Sequence, residues 1–416
     1  VKVALVTAVY PPEPVVSSRT SADVAAALHQ AGHDVTVISP YPSRPAGELY
    51  AGYRRRWRSV ARDGGITTVR TFSTLSKRST LVSRFAENLS FGLSSALALL
   101  RVRGLDVIYL NTWPVFATAM VAVVAGIKGV PFVVSVQDVY PESLFAQRRR
   151  GAGILGRVLR AIDRWVASRA AALIVLSENF AAIYRDDRGV DERRIRTIPN
   201  WIDAGAVVPD AEAGRAYRRS RNIPDDAFVV GYGGNIGVAA AVEQLVEAWQ
   251  YLADPRIHLL IAGAGPNLSA CEALAKRIAP GQIHIQSPWP ASETMAVLAA
   301  ADLLALPTFG DQSLISVPSK MLSYLLAAKP VLACVLPASE TAKILATGAI
   351  GWSVAPGQPV GIAAAIEAAA RVPVAERAAM GERARRTCIE TFGAERCIAR
   401  VLETLAEAAS TRSRSR

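Results

Sequence analysis

A chain of 416 residues is too long for a single hydrophobic core, so two domains are the first expectation. With 51% apolar and 20% charged residues the composition is that of a globular protein, and the small aromatic share beside abundant Ala, Val and Leu suits packed α/β layers. The net charge of +12 sits wholly in one half: residues 1–200 carry 27 Lys and Arg against 15 Asp and Glu, whereas residues 201–416 carry 20 against 20.

Val1–Val9 reads as a buried first strand, too short in apolar run for a signal peptide. A Pro-rich loop follows, then a helix from Thr20 to Ala31 stopped by Gly32, and a second strand over Asp34–Ser39. The loop falls at the carboxyl end of a strand, where open α/β sheets bind ligands, but it lacks the G-x-G-x-x-G of dinucleotide folds. Ser17, Ser18 and Arg19 at the helix start either hold an anion or simply cap the helix. Residues 44–103 mix turn residues, aromatics and arginines. Within them Leu81–Gly104 is strongly apolar yet contains Arg84, Glu87 and Asn88, which argues against a membrane span. It is either a core helix or one lying in a bilayer interface.

Asp106–Leu110 is the next strand, leading to Asn111, Thr112 and Trp113. A helix over Val115–Ile127 and a strand over Pro131–Val136 follow, and that strand ends in the polar run Gln137, Asp138, Val139, Tyr140. A helix at Ile154–Ala172, a strand at Ala172–Leu176 and a last strand at Arg196–Pro199 complete the first alternation. Residues 204–226 lose periodicity and read as a linker.

The second alternation opens with strand Phe228–Tyr232 and the glycine loop Gly233, Gly234, Asn235, Ile236, Gly237. Strand His258–Gly263 ends in Gly263-Ala264-Gly265-Pro266, and strand Ile283–Ser287 in Pro288-Trp289-Pro290. The stretch from Leu303 to Ala333 then gives a buried strand, a polar loop with Ser313, a helix opened by Ser316, Val317 and Pro318, and another strand. Ser319 and Lys320 begin that helix, where N–H groups and the helix dipole favour an anion such as a diphosphate. Helices at Val360–Ala370, Ala375–Thr391 and Ala394–Ala408 follow, and Ser410–Arg416 reads as a disordered basic tail. Two β/α alternations predict two doubly wound sheets facing a cleft.

Cys271, Cys334, Cys388 and Cys397 form no CxxC pair and read as reduced thiols of a cytoplasmic protein. His29, His33, His258 and His284 read as structural. Arginine clusters at 54–58, 148–150 and 193–196 point to an anionic partner. Without a helix-turn-helix, zinc-finger or RNP pattern, a membrane surface is favoured over nucleic acid.

In order and spacing, YPPEPVVSSR, VQDVYPES, IVLSENF, IPNWID, YGGNIG, IAGAGP, SPWP and SVPSKMLSYLLAAKPVLA resemble the family 4 retaining glycosyltransferases of the GT-B fold. They resemble in particular the bacterial subgroup that builds colanic acid, O-antigen and capsule, whose members carry the label N-acetylfucosamine transferase. The resemblance implies an acceptor-binding domain at residues 1–203 and a nucleotide-sugar-binding domain at 227–392. A helix at 393–409 would return to the first domain. It also implies a nucleotide-diphosphate sugar donor, taken as UDP-linked by family habit, and a lipid-linked glycan acceptor at the inner face of the cell membrane. No cofactor or metal is expected, and the chain has no D-x-D motif.

Carried onto this sequence, the resemblance assigns donor contacts to Gly234, Asn235, Gly263, Gly265, Ser287, Trp289, Ser313, Val317, Pro318, Ser319, Lys320 and Ser323. Acceptor contacts fall to Ser17, Ser18, Arg19, Trp113 and Tyr140, and the reaction centre to Asp138, Gln137 and Lys320. The family's Glu-x7-Glu pair falls on Ile315 and Ser323, its diphosphate-gripping cations near Asn235 and Val238–Ala241, and its His on Gln137. Lys320 is then the best remaining cation. These departures keep two other readings open: a non-catalytic sugar-nucleotide-binding or scaffold subunit, and a GT-B-fold epimerase.

Overall fold

The structure, a computed structural model, describes residues 1–78, 80–111, 115–139, 142, 153–314 and 318–414. The chain forms two compact units, residues 1–200 with 395–416, and residues 201–394.

The first unit is built on an eight-stranded sheet. Its strands are β1 (Lys2–Thr7), β2 (Asp34–Pro40), β3 (Arg58–Asp63), β4 (Ile66–Thr71), β5 (Val107–Asn111), β6 (Phe132–Val136), β7 (Ala172–Val175) and β8 (Ile195–Thr197). Their order is β3-β4-β2-β1-β5-β6-β7-β8, and all neighbours are parallel except β3 and β4. Helices α1 (Val16–Gln30), α2 (Leu81–Arg101), α3 (Val115–Lys128), α4 (Gly153–Arg169) and the short α5 (Glu178–Ala182) connect the strands. The central strands are unbroken apolar runs because helices cover both faces of a parallel sheet. The β3–β4 hairpin, hidden in the mixed stretch 44–103, turns at Gly64 and Gly65, whose φ angles of +52° and +85° require glycine. Its edge strand β3 is exposed and charged, which blunts edge-to-edge pairing.

One face of α2 packs in the core, as the core-helix reading of 81–104 expects. Phe91 and Leu99 are buried, whereas Val82, Phe85, Leu89 and Leu93 are exposed. Among the described residues no helix is long and apolar enough to cross a membrane.

The second unit holds a six-stranded parallel sheet. Its strands are β9 (Phe228–Asn235), β10 (Ile257–Ala264), β11 (Ile283–Gln286), β12 (Leu303–Pro307), β13 (Val331–Cys334) and β14 (Gly351–Val354), in the order β11-β10-β9-β12-β13-β14. The order reverses between β9 and β12, the switch point at which such sheets bind ligands. Helices α6 (Ala211–Ser220), α7 (Glu243–Ala248), α8 (Leu268–Ile278), α9 (Thr294–Ala300), α10 (Ser319–Leu326), α11 (Glu340–Gly348), α12 (Pro359–Arg371) and α13 (Val374–Phe392) surround it. All four cysteines are buried and form no disulfide.

Two expectations need correction. The linker read at 204–226 contains α6, capped by Asp210, with Gly214 and Tyr217 buried and Arg218 paired to Asp302 at 2.7 Å. Its many charges mask a narrow buried face in the sequence. The tail read as disordered is helical to Arg414, as part of α14 (Ala394–Arg414), which belongs to the first unit and joins Arg196 to Glu407 at 3.1 Å. Ser410 and Thr411 return their hydroxyls to the carbonyls of Glu407 and Ala408 and so do not break the helix.

One buried ion cluster ties α4 to the turn after α5. The Arg188 side chain is fully buried; its Nη2 donates to both Glu142 oxygens (2.9 and 2.8 Å) and its Nε to Asp163 (3.0 Å). Tyr184 Oη also donates to Asp163, at 3.0 Å. Arg188→Ala takes the buried cation from between two carboxylates and leaves Asp163 with Tyr184 and Glu142 with Arg160 (3.3 Å), so we expect a loss of about 3 kcal/mol in the first unit's stability, read from its urea unfolding midpoint. An unchanged midpoint would show that the cluster holds nothing together.

Candidate active site

Each unit gathers polar groups at the carboxyl ends of its strands. In the second unit the centre is the end of β9. Gly233 is held by Tyr324 of α10, whose hydroxyl accepts from Gly233 N–H (2.9 Å) and lies 3.2 Å from its carbonyl. Gly234 has φ +142°, and a Cβ there would fall 2.0 Å from Lys320 Cε. A Cβ on Gly233 would meet the Trp289 ring at 2.8 Å. The glycine pair is therefore flanked by a lysine and an indole, and only residues without side chains allow both to approach.

Lys320 is the second residue of α10, and Pro318 at the cap position gives that helix no side-chain cap. Its first N–H groups thus retain no side-chain acceptor from the cap, the arrangement that suits an anion. Lys320 Nζ lies 4.6 Å from the centre of the Tyr232 ring and donates to its hydroxyl at 2.6 Å. Tyr232 in turn donates to Asn235 C=O at 2.6 Å. Burial raises the Tyr232 hydroxyl far above the ordinary phenol range, so it stays a neutral donor. Burial also lowers Lys320, to about 8.

The remaining assigned donor contacts divide. Asn235 and Ser319 are exposed, and Ser287, Trp289 and Ser323 are half-buried. Trp289 Nε1 is buried with no hydrogen-bond partner among the described residues. Gly263 and Gly265 are explained by packing: a Cβ on either would strike the backbone oxygen of Gly234 (1.9 Å) or Ile236 (2.2 Å). Ser313 is turned inward, 1% exposed, and accepts from Leu336 N–H at 3.1 Å, so it is a loop tie and not a ligand contact. Val317 lies outside the described residues.

In the first unit, Asp138 follows β6. Its side chain keeps a surface on solvent, yet the surrounding protein raises its carboxyl to about 6 by desolvation. Asp138 and Asp163 both line a cavity of about 30 Å³ with Thr118 and Tyr184, room for about one water. Gln137 is not free to act on a substrate as expected. Its Nε2 donates to Ser135 (3.0 Å) and its Oε1 accepts from Asn200 (3.0 Å), which ties the ends of β6 and β8.

Ser17 and Ser18 do not cap α1. The cap position is Val15, without a side-chain bond. Ser17 C=O accepts from Thr20, Ser21 and Asn111, and Arg19 is exposed. Ser18 Oγ and Asn111 Oδ1 are buried with no partner among the described residues. Trp113 and Tyr140 lie outside the described residues.

Sequence reasoning missed Glu13, Asn111, Tyr232 and Tyr324. Buried Glu13 accepts N–H bonds from Tyr10, Ser43 and Arg44 and so shapes the Pro-rich loop; its signal was a carboxylate set among prolines. A larger cavity of about 380 Å³ opens beside that loop, lined by Ser43, Arg44, Ser76, Lys77, Ser83 and Glu87 among others. His258 and His284 bond each other at 3.0 Å on adjacent strands, and desolvation lowers His284 to about 4, in keeping with a structural role.

Residues 17–201 match the glycosyl transferase 4-like domain family, and residues 227–371 match the glycosyl transferases group 1 family. The chain has the GT-B fold, and each of its halves is similar to a glycosyltransferase domain. Glycosyltransferase WbjE of Pseudomonas aeruginosa is 26% identical over 64% of this chain and 66% of its own length. The colanic acid biosynthesis glycosyl transferase WcaI of Escherichia coli K12 is 25% identical over 64% of this chain and 67% of its own length. The chain thus spans about two thirds of the curated relatives it matches. Among solved structures, Anabaena Alr3699/HepE in complex with UDP superposes with TM-score 0.72 at 15% identity, covering 98% of this chain and 100% of that one.

The lowered Lys320 supplies a check on this geometry. Its folded pKa of about 8 lies below the unfolded value of 10.5, so the unfolded chain binds more protons between those values and stability rises with pH there. Below pH 8 the buried charge costs stability. Lys320→Met should therefore raise the second unit's melting temperature by about 2–4 °C at pH 7, with the gain shrinking toward pH 10. Calorimetry showing no gain at pH 7 would mean that the ammonium is solvated.

Proposed function

We propose that the chain is a retaining, metal-independent glycosyltransferase of hexosyl or N-acetylhexosaminyl type. It would move a sugar from a nucleotide-diphosphate donor, UDP-linked in our reading, to a lipid-linked glycan in bacterial cell-surface polysaccharide synthesis. The observation that carries this reading is Lys320, drawn over Gly234 at the start of α10, beside uncapped helix N–H groups. That set of donors fits the phosphates of a leaving nucleoside diphosphate. UDP in the HepE structure and the polysaccharide role in the name of WcaI support the donor and the pathway class.

In this reading the departing phosphate oxygen takes the proton of the attacking acceptor hydroxyl, on the face it leaves, so configuration is retained and no separate base is needed. Lys320 and the α10 amides stabilise the charge that grows on that oxygen. Trp289 stacks on the base or the sugar. Asp138, raised by desolvation, accepts a hydrogen bond from a sugar hydroxyl and orients it. The cavity of about 380 Å³, whose Arg44 is already paired with Glu87 at 2.6 Å, suits an uncharged, hydroxyl-rich part of the acceptor. In this reading the enzyme is a peripheral, cytoplasmic protein, drawn to the anionic inner face of the membrane by its N-terminal arginines.

The test is transfer from a panel of sugar nucleotides to membrane extracts, with the anomeric configuration of the product read by NMR. Lys320→Ala should lower turnover by roughly two orders of magnitude, the scale of one preorganised charge contact. UDP affinity should fall as pH rises through about 8, where Lys320 loses its proton, and Lys320→Arg should flatten that dependence. Turnover by folded Lys320→Ala at the wild-type rate removes the lysine from the reaction; an inverted product overturns the retaining assignment.

A further inference from the structure

α2 and α3 run parallel and side by side on the first unit. Phe85 meets Phe116 edge to face at 5.1 Å, a Cβ on Gly92 would come within 2.9 Å of Ala117, and Lys128 Nζ donates to Leu100 C=O at 3.1 Å. These contacts advance together along both helices, so the pair presents one continuous outer surface.

That surface is apolar where a surface helix is ordinarily polar. On α2, Val82 (79% exposed), Phe85, Leu89, Leu93 and Leu100 are exposed at successive steps of three, four, four and seven residues, which place them in one stripe. On α3, Val123 and Ile127 (71% exposed) extend it beside the Leu100 end. A contiguous patch of this kind marks an interaction surface.

The charges around it name the partner. Arg84, Arg101 and Arg103 are exposed, and Lys128 closes α3. The sole acidic residue in the sequence of either helix is Glu87, which is bonded to Arg44. A second copy docked on this face would set Arg101 and Arg103 against an equally basic surface, since a two-fold interface pairs a patch with itself. An anionic bilayer satisfies both features at once.

We propose that the α2–α3 face is the membrane-docking surface, its stripe immersed at the acyl boundary and Arg101, Arg103 and Lys128 among the headgroup phosphates. The inference refines the membrane partner of the proposed function, from general attraction to arginines to insertion of one helical face. It rests on that reading only for the identity of the membrane.

Sedimentation of the full chain with acceptor-free vesicles tests it, using phosphatidylglycerol–phosphatidylethanolamine against phosphatidylcholine. No sugar nucleotide is present, so the outcome stands apart from whether transfer is ever observed. L89S/L93S should reduce partitioning into anionic vesicles by roughly tenfold or more at an unchanged melting temperature. R101E/R103E should reduce it by roughly fivefold per arginine. In a separate Leu93→Trp variant, the emission of the introduced indole should shift to the blue on those vesicles. Wild-type partitioning by L89S/L93S, or an unshifted emission from the Leu93→Trp variant, overturns the proposal. So does a wild-type dimer in solution that L89S/L93S converts to monomer, since a second copy would then cover the face.

Discussion

A half-buried cation sits at the end of β9, and the second unit is shaped to hold it there. Lys320 gives up hydration to lie on Tyr232 and against Gly234, and its proton affinity falls accordingly. Two glycines make room, Tyr324 fixes the backbone that carries them, and Gly263 and Gly265 let β10 pass close enough to keep β9 in place. None of this improves stability by itself. It costs stability and makes sense as preparation for an anion that would restore the lysine's full charge.

The first unit shows the same economy with different groups. Its carboxyl-end residues are mostly committed to one another: Gln137 to Ser135 and Asn200, Ser21 to Thr7 and Asn111, Glu13 to three backbone amides. Such ties fix loops that would otherwise sample many conformations. They leave Asp138 as the carboxylate still turned toward solvent, a single orienting group on a rigid rim.

Much of this was legible in the sequence because it follows from local pattern. Apolar strand runs, glycine pairs after them and a proline at a helix entrance each have a local physical cause, and together they placed both sheets, apart from the β3–β4 hairpin, and the start of α10. What stayed hidden depends on contacts between distant residues. Tyr232 and Lys320 lie 88 positions apart and meet only because β9 and β12 are neighbours across the switch point. Ser313 looked like a ligand residue, but the direction of its side chain is set by Leu336. The helix 211–220 hid behind its charges because two buried residues and one arginine pair suffice to dock it.

The cysteines have a practical side. Burial raises the thiols of Cys271, Cys334 and Cys388 to about 12 and raises Cys397 as well, so the reactive thiolate is scarce at neutral pH. The folded chain is thus nearly silent toward maleimides and alkylating agents. A cysteine engineered on the surface can carry a spin label or fluorophore without first stripping the native ones, and any native thiol that does react reports that the fold around it has opened.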